Sequence, residues 1–215
     1  MVLSAHLLAA RGYAVLRPDM PWPAEPRHAP AQAIADLVLP AVDEAVRLGW
    51  ADGERLAAVG HSYGGYAVLA LLAGTPRFRA GVASAPIADL AALYGEAVLR
   101  GGDVQPLWQD WAERGQGEMG GAPWEQPDRY IDNSPAFRLD HVRTPVLLLA
   151  GGRSPTDVRQ AVQAFSGLKR LGREAELAIY PDGGHVPGAA EPRYARDVAD
   201  RVCAWLDRHL GPSAG

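Results

Sequence analysis

The sequence of 215 residues is long enough for one sizeable hydrophobic core, and its 48% apolar and 21% charged residues are typical of a soluble globular domain. A formal net charge of −4, with the arginines scattered along the chain, excludes an obvious nucleic-acid partner. No apolar run approaches the roughly 18 residues of a membrane-spanning helix, and a single cysteine, Cys203, cannot form an internal disulfide. Because the chain also starts without a signal-peptide pattern, we expect one cytoplasmic domain over residues 1–215 that does not bind membranes.

Apolar periodicity predicts alternating helices and strands along the chain. Residues 3–11 favour a helix that ends at Gly12, residues 13–17 favour a buried strand, and residues 29–49 favour an amphipathic helix that Pro40 interrupts. The other predicted strands are 55–60, 78–84, 144–151 and 174–181, and the other predicted helices are 64–74, 157–172 and 192–210.

Strands that alternate with helices of 10 to 20 residues are typical of βαβ units. The predicted fold class is therefore α/β, with a mostly parallel sheet covered by helices on both faces. Residues 86–135 depart from this pattern, because they combine Trp108, Trp111 and Trp124 with several glycines and prolines. We interpret this stretch as an irregular, lid-like excursion with short helices, of the kind that covers a site.

The segment GHSYGG places Ser62 between the predicted strand 55–60 and the predicted helix 64–74. A nucleophile elbow has this order of strand, sharp turn and helix, and its neighbours need to lack bulk where strand and helix pass closely. We expect Gly60 and Gly64 to meet that need. The alternative is a glycine-rich turn with an unreactive serine, since the motif alone is weak evidence.

His185 is the best candidate for a general base, because it lies in a glycine-bearing loop after the last predicted strand. Its place after Ser62 follows the order of serine, acid and histidine that this fold class uses. His61 precedes the nucleophile, and we expect it to point away from Ser62 and to act as structural support. No residues have the spacing of metal ligands and no nucleotide-binding glycine motif follows a strand, so we expect no metal or cofactor.

The sequence resembles the catalytic domain of the prolyl oligopeptidase family of serine peptidases, within the α/β-hydrolase superfamily. The matching segments run in the family's order and are LLAARGYAVLRPD, GHSYGGYAVLALLA, YIDNSPAFRLDHVRTPVLLLAGG, LKRLGREAELAIYPDGGH and the closing helix. The resemblance implies that Ser62 is the nucleophile, that His185 is the general base and then the general acid, and that the backbone N–H of Tyr63 is one oxyanion donor.

The position of the triad acid departs from the family pattern. Counted from Gly151, the family's aspartate position is occupied by Ser154, and Asp157 follows three residues later, where it could start the next helix as its N-cap. We take Asp157 as the candidate acid. Asp182, Asp89 and the absence of any acid remain as alternatives.

A second departure lies at the N-terminus. In the family, a β-propeller and three further strands precede the helix that is predicted here at residues 3–11, and the third strand lies between those matching 13–17 and 55–60. The resemblance therefore implies an N-terminally truncated sheet that lacks its first three strands and the second oxyanion donor. We expect the sheet to be completed by a missing N-terminal segment or by a partner chain.

Three functions are compatible with these residues. The first is a serine peptidase that cleaves peptide bonds through an acyl-enzyme on Ser62. The second is an esterase or acylaminoacyl hydrolase of small substrates, since the same triad serves both chemistries. The third is a non-catalytic fragment or interaction module, with an exposed tryptophan-bearing stretch at 106–124 as its binding surface.

Overall fold

A four-stranded parallel sheet forms the centre of the molecule. The computed structural model describes residues 4–20, 30–189 and 191–211. The sheet strands are β1 (Ala57–His61), β2 (Ala80–Ser84), β5 (Val146–Gly151) and β6 (Ala175–Tyr180), and they lie in the order β1-β2-β5-β6. Register pairs place Gly60 opposite Ala83 and Leu148 opposite Ala83 and Leu177. All strands run the same way, so their carboxyl ends meet at one edge, where ligands of open α/β sheets bind.

Helices cover both faces of the sheet, as the α/β prediction requires. The helices are α1 (Ala5–Ala10), α2 (Pro30–Arg47), α3 (Tyr63–Gly74), α7 (Pro155–Arg170) and α8 (Pro192–Leu210). Leu148 packs with the apolar faces of α2, α3 and α7, whereas Leu147 and Leu149 pack with α1 and α8. Successive side chains of β5 thus lie in the hydrophobic cores on opposite faces of the sheet, which explains why this strand is apolar throughout. In the described part of the chain, none of the helices has the length and apolarity needed to cross a membrane.

The excursion at 86–135 is more regular than the sequence predicted. It contains the short helices α4 (Leu90–Tyr94), α5 (Gln109–Glu113) and α6 (Pro127–Asp132), and an antiparallel hairpin of β3 (Ala97–Arg100) and β4 (Asp103–Pro106). Tyr130 and Met119 are fully buried between these elements. A 3₁₀ helix (Pro135–His141) returns the chain to β5.

The predicted strand at 13–17 is wrong, because residues 13–20 have no regular secondary structure. A strand needs a neighbouring strand to pair with, and β1 forms the edge of the sheet. Val59 of β1 is 44% exposed. No strand among the described residues pairs with the outer edge of β1. The segment is held instead by the Tyr13 hydroxyl, which donates a hydrogen bond to Asp207 of α8.

The predicted interruption at Pro40 is also wrong, since α2 continues through this residue from Pro30 to Arg47. Proline removes one backbone hydrogen bond inside a helix. Pro40 is exposed, so solvent can hydrate the carbonyl that loses its partner. Packing of the buried Ile34 and Val42 on the core outweighs this local cost.

Candidate active site

Ser62 occupies a sharp turn between the end of β1 and the start of α3. Its backbone has φ 58° and ψ −119°, a conformation that a residue with a side chain rarely adopts and that costs about 1–3 kcal/mol. The Ser62 N–H donates a hydrogen bond of 2.9 Å to the Ser84 carbonyl at the end of β2. The turn is thus anchored to the neighbouring strand and presents Ser62 at the carboxyl edge of the sheet.

Two glycines allow the strand and the helix of this elbow to approach closely. A Cβ atom at Gly60 would lie 2.0 Å from the Gly64 carbonyl oxygen, which confirms that Gly60 must lack a side chain. The same expectation for Gly64 is wrong, because a Cβ there would meet no atom within 4 Å. Gly65 has this role instead, since its Cβ would lie 2.8 Å from the Ser84 carbonyl oxygen.

The structure brings together the serine, the histidine and the acid that the sequence suggested. Nε2 of His185 lies 3.0 Å from Oγ of Ser62, and Nδ1 of His185 lies 2.9 Å from Oδ2 of Asp157. A carboxylate only accepts hydrogen bonds, so Nδ1 carries the proton of the neutral imidazole. Nε2 is then the free acceptor that faces the serine hydroxyl.

Asp157 reaches the histidine from the first turn of α7. It is the third residue of this helix, and Ser154, not Asp157, occupies the N-cap position. The displacement from the family position therefore places the acid on a helix rather than in the preceding loop. Its side chain is only 7% exposed, whereas that of His185 is 50% exposed.

The other candidate acids do not contact His185 in the structure. Asp89 caps α4, because its carboxylate accepts a hydrogen bond of 2.9 Å from the Ala92 N–H. Asp182 lies on the surface, where Tyr194 donates a hydrogen bond to it and Arg153 lies 3.7 Å away. Both carboxylates are engaged elsewhere.

The pKa values of the two histidines move in opposite directions. The hydrogen bond that Nδ1 of His185 donates to Asp157 raises the pKa of His185 above its usual range, against an opposing effect of burial. Burial, followed by the neighbouring charge of His185, lowers the pKa of His61 to about 4. His185 is thus the stronger base, and His61 is neutral near pH 7.

His61 does not point away from the site as expected. Its ring centroid lies 4.8 Å from that of His185, and its Nδ1 atom lies 3.2 Å from the Ser84 hydroxyl oxygen. His61 therefore forms part of the wall beside the catalytic imidazole. The expected alternation of side-chain directions along a strand fails here because His61 is the last residue of β1, where the turn at Ser62 begins.

Tyr63 connects the nucleophile to the excursion. It is the first residue of α3, so its backbone N–H belongs to the helix N-terminus beside Ser62. The Tyr63 ring makes an edge contact with Trp111 of α5 at a centroid distance of 6.5 Å, and Trp111 contacts Trp108 at 6.3 Å. The excursion therefore supplies an aromatic wall next to the serine.

Sequence reasoning missed two contributors to this site. Ser84 holds the elbow through its carbonyl and His61 through its hydroxyl, and its position at the end of the neighbouring strand could have indicated this role. Trp111 was included only in a tryptophan-rich surface, although it packs against Tyr63. Both contacts join elements that are distant in the sequence. No local sequence pattern indicates which distant elements pack together.

The sequence matches the prolyl oligopeptidase family over residues 3–213. The chain belongs to this family. It is 30% identical to the uncharacterized peptidase YuxL of Bacillus subtilis over 81% of this chain and 25% of that protein. It is 33% identical to dipeptidyl-peptidase 5 of Porphyromonas gingivalis over 80% of this chain and 24% of that protein.

The fold agrees with that of a peptidase of known structure. The acylaminoacyl peptidase of Pyrococcus horikoshii superimposes with a TM-score of 0.70 at 27% identity, over 85% of this chain and 28% of that one. The predicted α/β-hydrolase fold is thereby confirmed. The chain spans about a quarter of the length of the relatives that it matches.

Proposed function

We propose that this chain carries the catalytic centre of a serine peptidase that cleaves peptide bonds through an acyl-enzyme on Ser62. The observation that carries this proposal is the continuous chain of hydrogen-bond distances from Ser62 through His185 to Asp157, at 3.0 and 2.9 Å, with the serine in a strained elbow. Membership of the prolyl oligopeptidase family supports the choice of peptides as substrates.

In the proposed reaction, Oγ of Ser62 attacks the carbonyl carbon of the scissile bond while Nε2 of His185 accepts the hydroxyl proton. The tetrahedral intermediate places its negative oxygen near the N-terminus of α3, where the Tyr63 N–H can donate to it. Collapse of this intermediate breaks the C–N bond, and the imidazolium gives its proton to the leaving amine. A water molecule activated by His185 then hydrolyses the acyl-enzyme and regenerates the serine hydroxyl.

Asp157 stabilises each imidazolium that forms in these two steps. Its buried carboxylate accepts the Nδ1 hydrogen bond and raises the pKa of His185. This contact removes one of the grounds for the alternative of a non-catalytic fragment, namely the serine at position 154 in place of an acid.

A fluorophosphonate probe tests the proposed nucleophile. We expect the probe to label the purified protein at Ser62, as located by peptide mass mapping, and we expect Ser62→Ala to remove all labelling. Ser166→Ala is the matched control, because Ser166 is exposed on α7 and should not affect the reaction. Labelling that persists in Ser62→Ala would reject Ser62 as the nucleophile.

Comparison of substrates separates a peptidase from an esterase. The relatives include an acylaminoacyl peptidase and a dipeptidyl-peptidase, so blocked and free short peptides are tested alongside a p-nitrophenyl ester. We expect turnover of peptides, with Ser62→Ala inactive on both classes. Turnover of the ester alone would favour a small-substrate hydrolase.

We also make two smaller proposals. The first is that a strand not supplied by the described residues pairs with the outer edge of β1. The second is that the protein acts in the cytoplasm. The unpaired edge of β1, with its exposed Val59, supports the first point. The buried free thiol of Cys203 supports the second. Amide exchange along β1 and cell fractionation test these points separately.

A further inference from the structure

Glu96 lies at the base of the excursion, between α4 and the first strand of the hairpin. Its backbone carbonyl accepts a hydrogen bond of 3.2 Å from the Leu107 N–H, which joins the two ends of the hairpin. Its side chain is only 9% exposed. A carboxylate that is so well buried needs polar partners to offset its lost hydration.

The partners of the Glu96 carboxylate lie on α7, on either side of the triad acid in sequence. The Thr156 hydroxyl donates a hydrogen bond to Oε2, and Nε of Arg159 donates one of 3.1 Å to Oε1. Thr156 is itself buried and directly precedes Asp157. The carboxylate thus holds the first turn of the helix from which Asp157 reaches His185.

The same side of α7 continues this polar contact with the base of the excursion. The buried Gln160 accepts hydrogen bonds of 2.8 Å from the N–H groups of Ala88 and Asp89, and Gln163 donates one of 2.9 Å to the Asp89 carboxylate. Positions 156, 159, 160 and 163 have the spacing of one helix face. The excursion and α7 are therefore joined by side-chain hydrogen bonds over two turns, beginning at the turn that carries Asp157.

We infer that Glu96 is a positioning residue of the triad: it fixes the first turn of α7 against the excursion and thereby keeps the Asp157 carboxylate at hydrogen-bond distance from His185. The inference rests on the proposed function of Ser62, His185 and Asp157. The first turn of a helix lacks part of the internal hydrogen bonding that holds its middle, so it depends on such external contacts. Loss of the Glu96 carboxylate leaves the buried Thr156 hydroxyl without its acceptor.

The test compares Glu96→Ala, Glu96→Gln and Thr156→Val with the wild-type protein. The two measurements are the fluorophosphonate labelling rate of Ser62 against pH and the NMR titration of the His185 imidazole. We expect Glu96→Ala to slow labelling by about 10- to 100-fold, the cost of misplacing a catalytic group by about 1 Å. The His185 midpoint should move to lower pH, because the contact with Asp157 raises the pKa of that ring.

The companion variants separate positioning from general stability. Glu96→Gln retains an acceptor for Thr156 and should keep most of the labelling rate, whereas Thr156→Val preserves side-chain shape and should reproduce the loss in part. Glu54→Ala is the control, since it removes an exposed carboxylate that pairs with Arg79 at 2.7 Å on a distant surface. We expect no change of rate or midpoint in this control.

An unchanged rate and an unchanged His185 midpoint in Glu96→Ala would overturn the inference, as would a loss of thermal stability alone. If Glu96→Ala does not fold, Thr156→Val decides by the same two measurements. Absence of labelling in the wild-type protein would reject the proposed function, and the His185 titration would still test whether Glu96 positions Asp157.

Discussion

The imidazole rings of His61 and His185 lie side by side, but their surroundings shift their pKa values in opposite directions. The carboxylate of Asp157 favours the protonated form of His185, whereas burial and the neighbouring ring disfavour protonation of His61. With a pKa of about 4, His61 adds no positive charge beside the base over the pH range in which His185 titrates. The pair therefore allows a single proton to be moved at Ser62 without competition from the adjacent ring.

Replacement of Asp157 by asparagine tests the role of the acid. We expect Asp157→Asn to lower kcat by a factor on the order of 10⁴, because the imidazolium loses its stabilising carboxylate and the tautomer is no longer fixed. The acidic limb of the kcat/KM profile should move to lower pH, since the pKa of His185 falls towards its ordinary value. Asp182→Asn is the control and should keep the wild-type profile; an active Asp157→Asn with normal kcat would exclude Asp157 as the triad acid.

The low pKa of His61 predicts a specific loss of stability in acid. The folded protein resists protonation of His61 down to about pH 4, whereas the unfolded chain takes up this proton near the ordinary value of about 6.5. Folding stability from this group is therefore complete above pH 6.5 and decreases as the pH falls from 6.5 to 4. In His61→Phe, urea unfolding should show a smaller decrease over this interval than in the wild type; identical slopes would contradict the assigned environment of His61.

At the scale of elements, the elbow depends on the close passage of β1 and α3. The carbonyl oxygen of Gly64 lies where the Cβ of any other residue at position 60 would have to be. Neither element can shift easily, because β1 is paired to β2 and α3 is buried along most of its length. The geometry of Ser62 is thus imposed by the elements on both sides of it.

Alanine substitutions at two glycines of the elbow should have opposite effects on stability. We expect Gly60→Ala to lower the free energy of unfolding by about 3 kcal/mol through overpacking against the backbone and to reduce labelling of Ser62. Gly64→Ala should raise the free energy of unfolding by roughly 0.5–1 kcal/mol, because alanine favours the helix and meets no atom there. Chemical denaturation of both variants measures this difference, and equal destabilisation would show that the two positions are packed alike.

Elements with a buried face were predictable from the sequence, and elements without one were not. The strand β5 and the helix α8 follow apolar patterns that their burial requires. The hairpin at 97–106 was missed because Leu99 and Val104 are exposed and show no pattern of burial. Residues 13–17 have the composition of a strand, but they do not form one. A strand forms only where its backbone pairs with a neighbouring strand, and composition alone does not show this.

The site was predictable to the extent that local motifs describe it. Ser62 and His185 belong to short segments with recognisable turn residues. The identity of the triad acid could not be decided from the sequence, because spacing alone does not show that Asp157 faces the histidine from a helix. Glu96 and Gln160 were not identified at all. Each is an isolated polar residue whose role arises from the packing of α7 against the excursion.

For the molecule as a whole, stability should be greatest at β5 and least at the edge next to the nucleophile. Every residue of β5 is buried, and the strand pairs with β2 on one side and β6 on the other. In contrast, β1 pairs only with β2 within the described residues, and none of the described strands pairs with its outer edge. The strand that leads to Ser62 is therefore the less supported part of the sheet.

Hydrogen exchange measured by mass spectrometry should show this gradient. We expect peptides from β5 to exchange most slowly, peptides from β1 to exchange faster, and peptides from residues 13–20 to exchange fastest. Peptides from β6, the other edge strand, provide the internal control for edge effects alone. Equal protection of β1 and β5 would show that the outer edge of β1 is already covered.

The helical location of Asp157 gives the triad acid a second possible position. Ser154 is the N-cap of α7 and Asp157 is its third residue, and side chains in these two positions lie on the same side of a helix start. The double variant Ser154→Asp, Asp157→Asn should therefore recover part of the activity lost in Asp157→Asn, and a rate no higher than that of the single variant would exclude it.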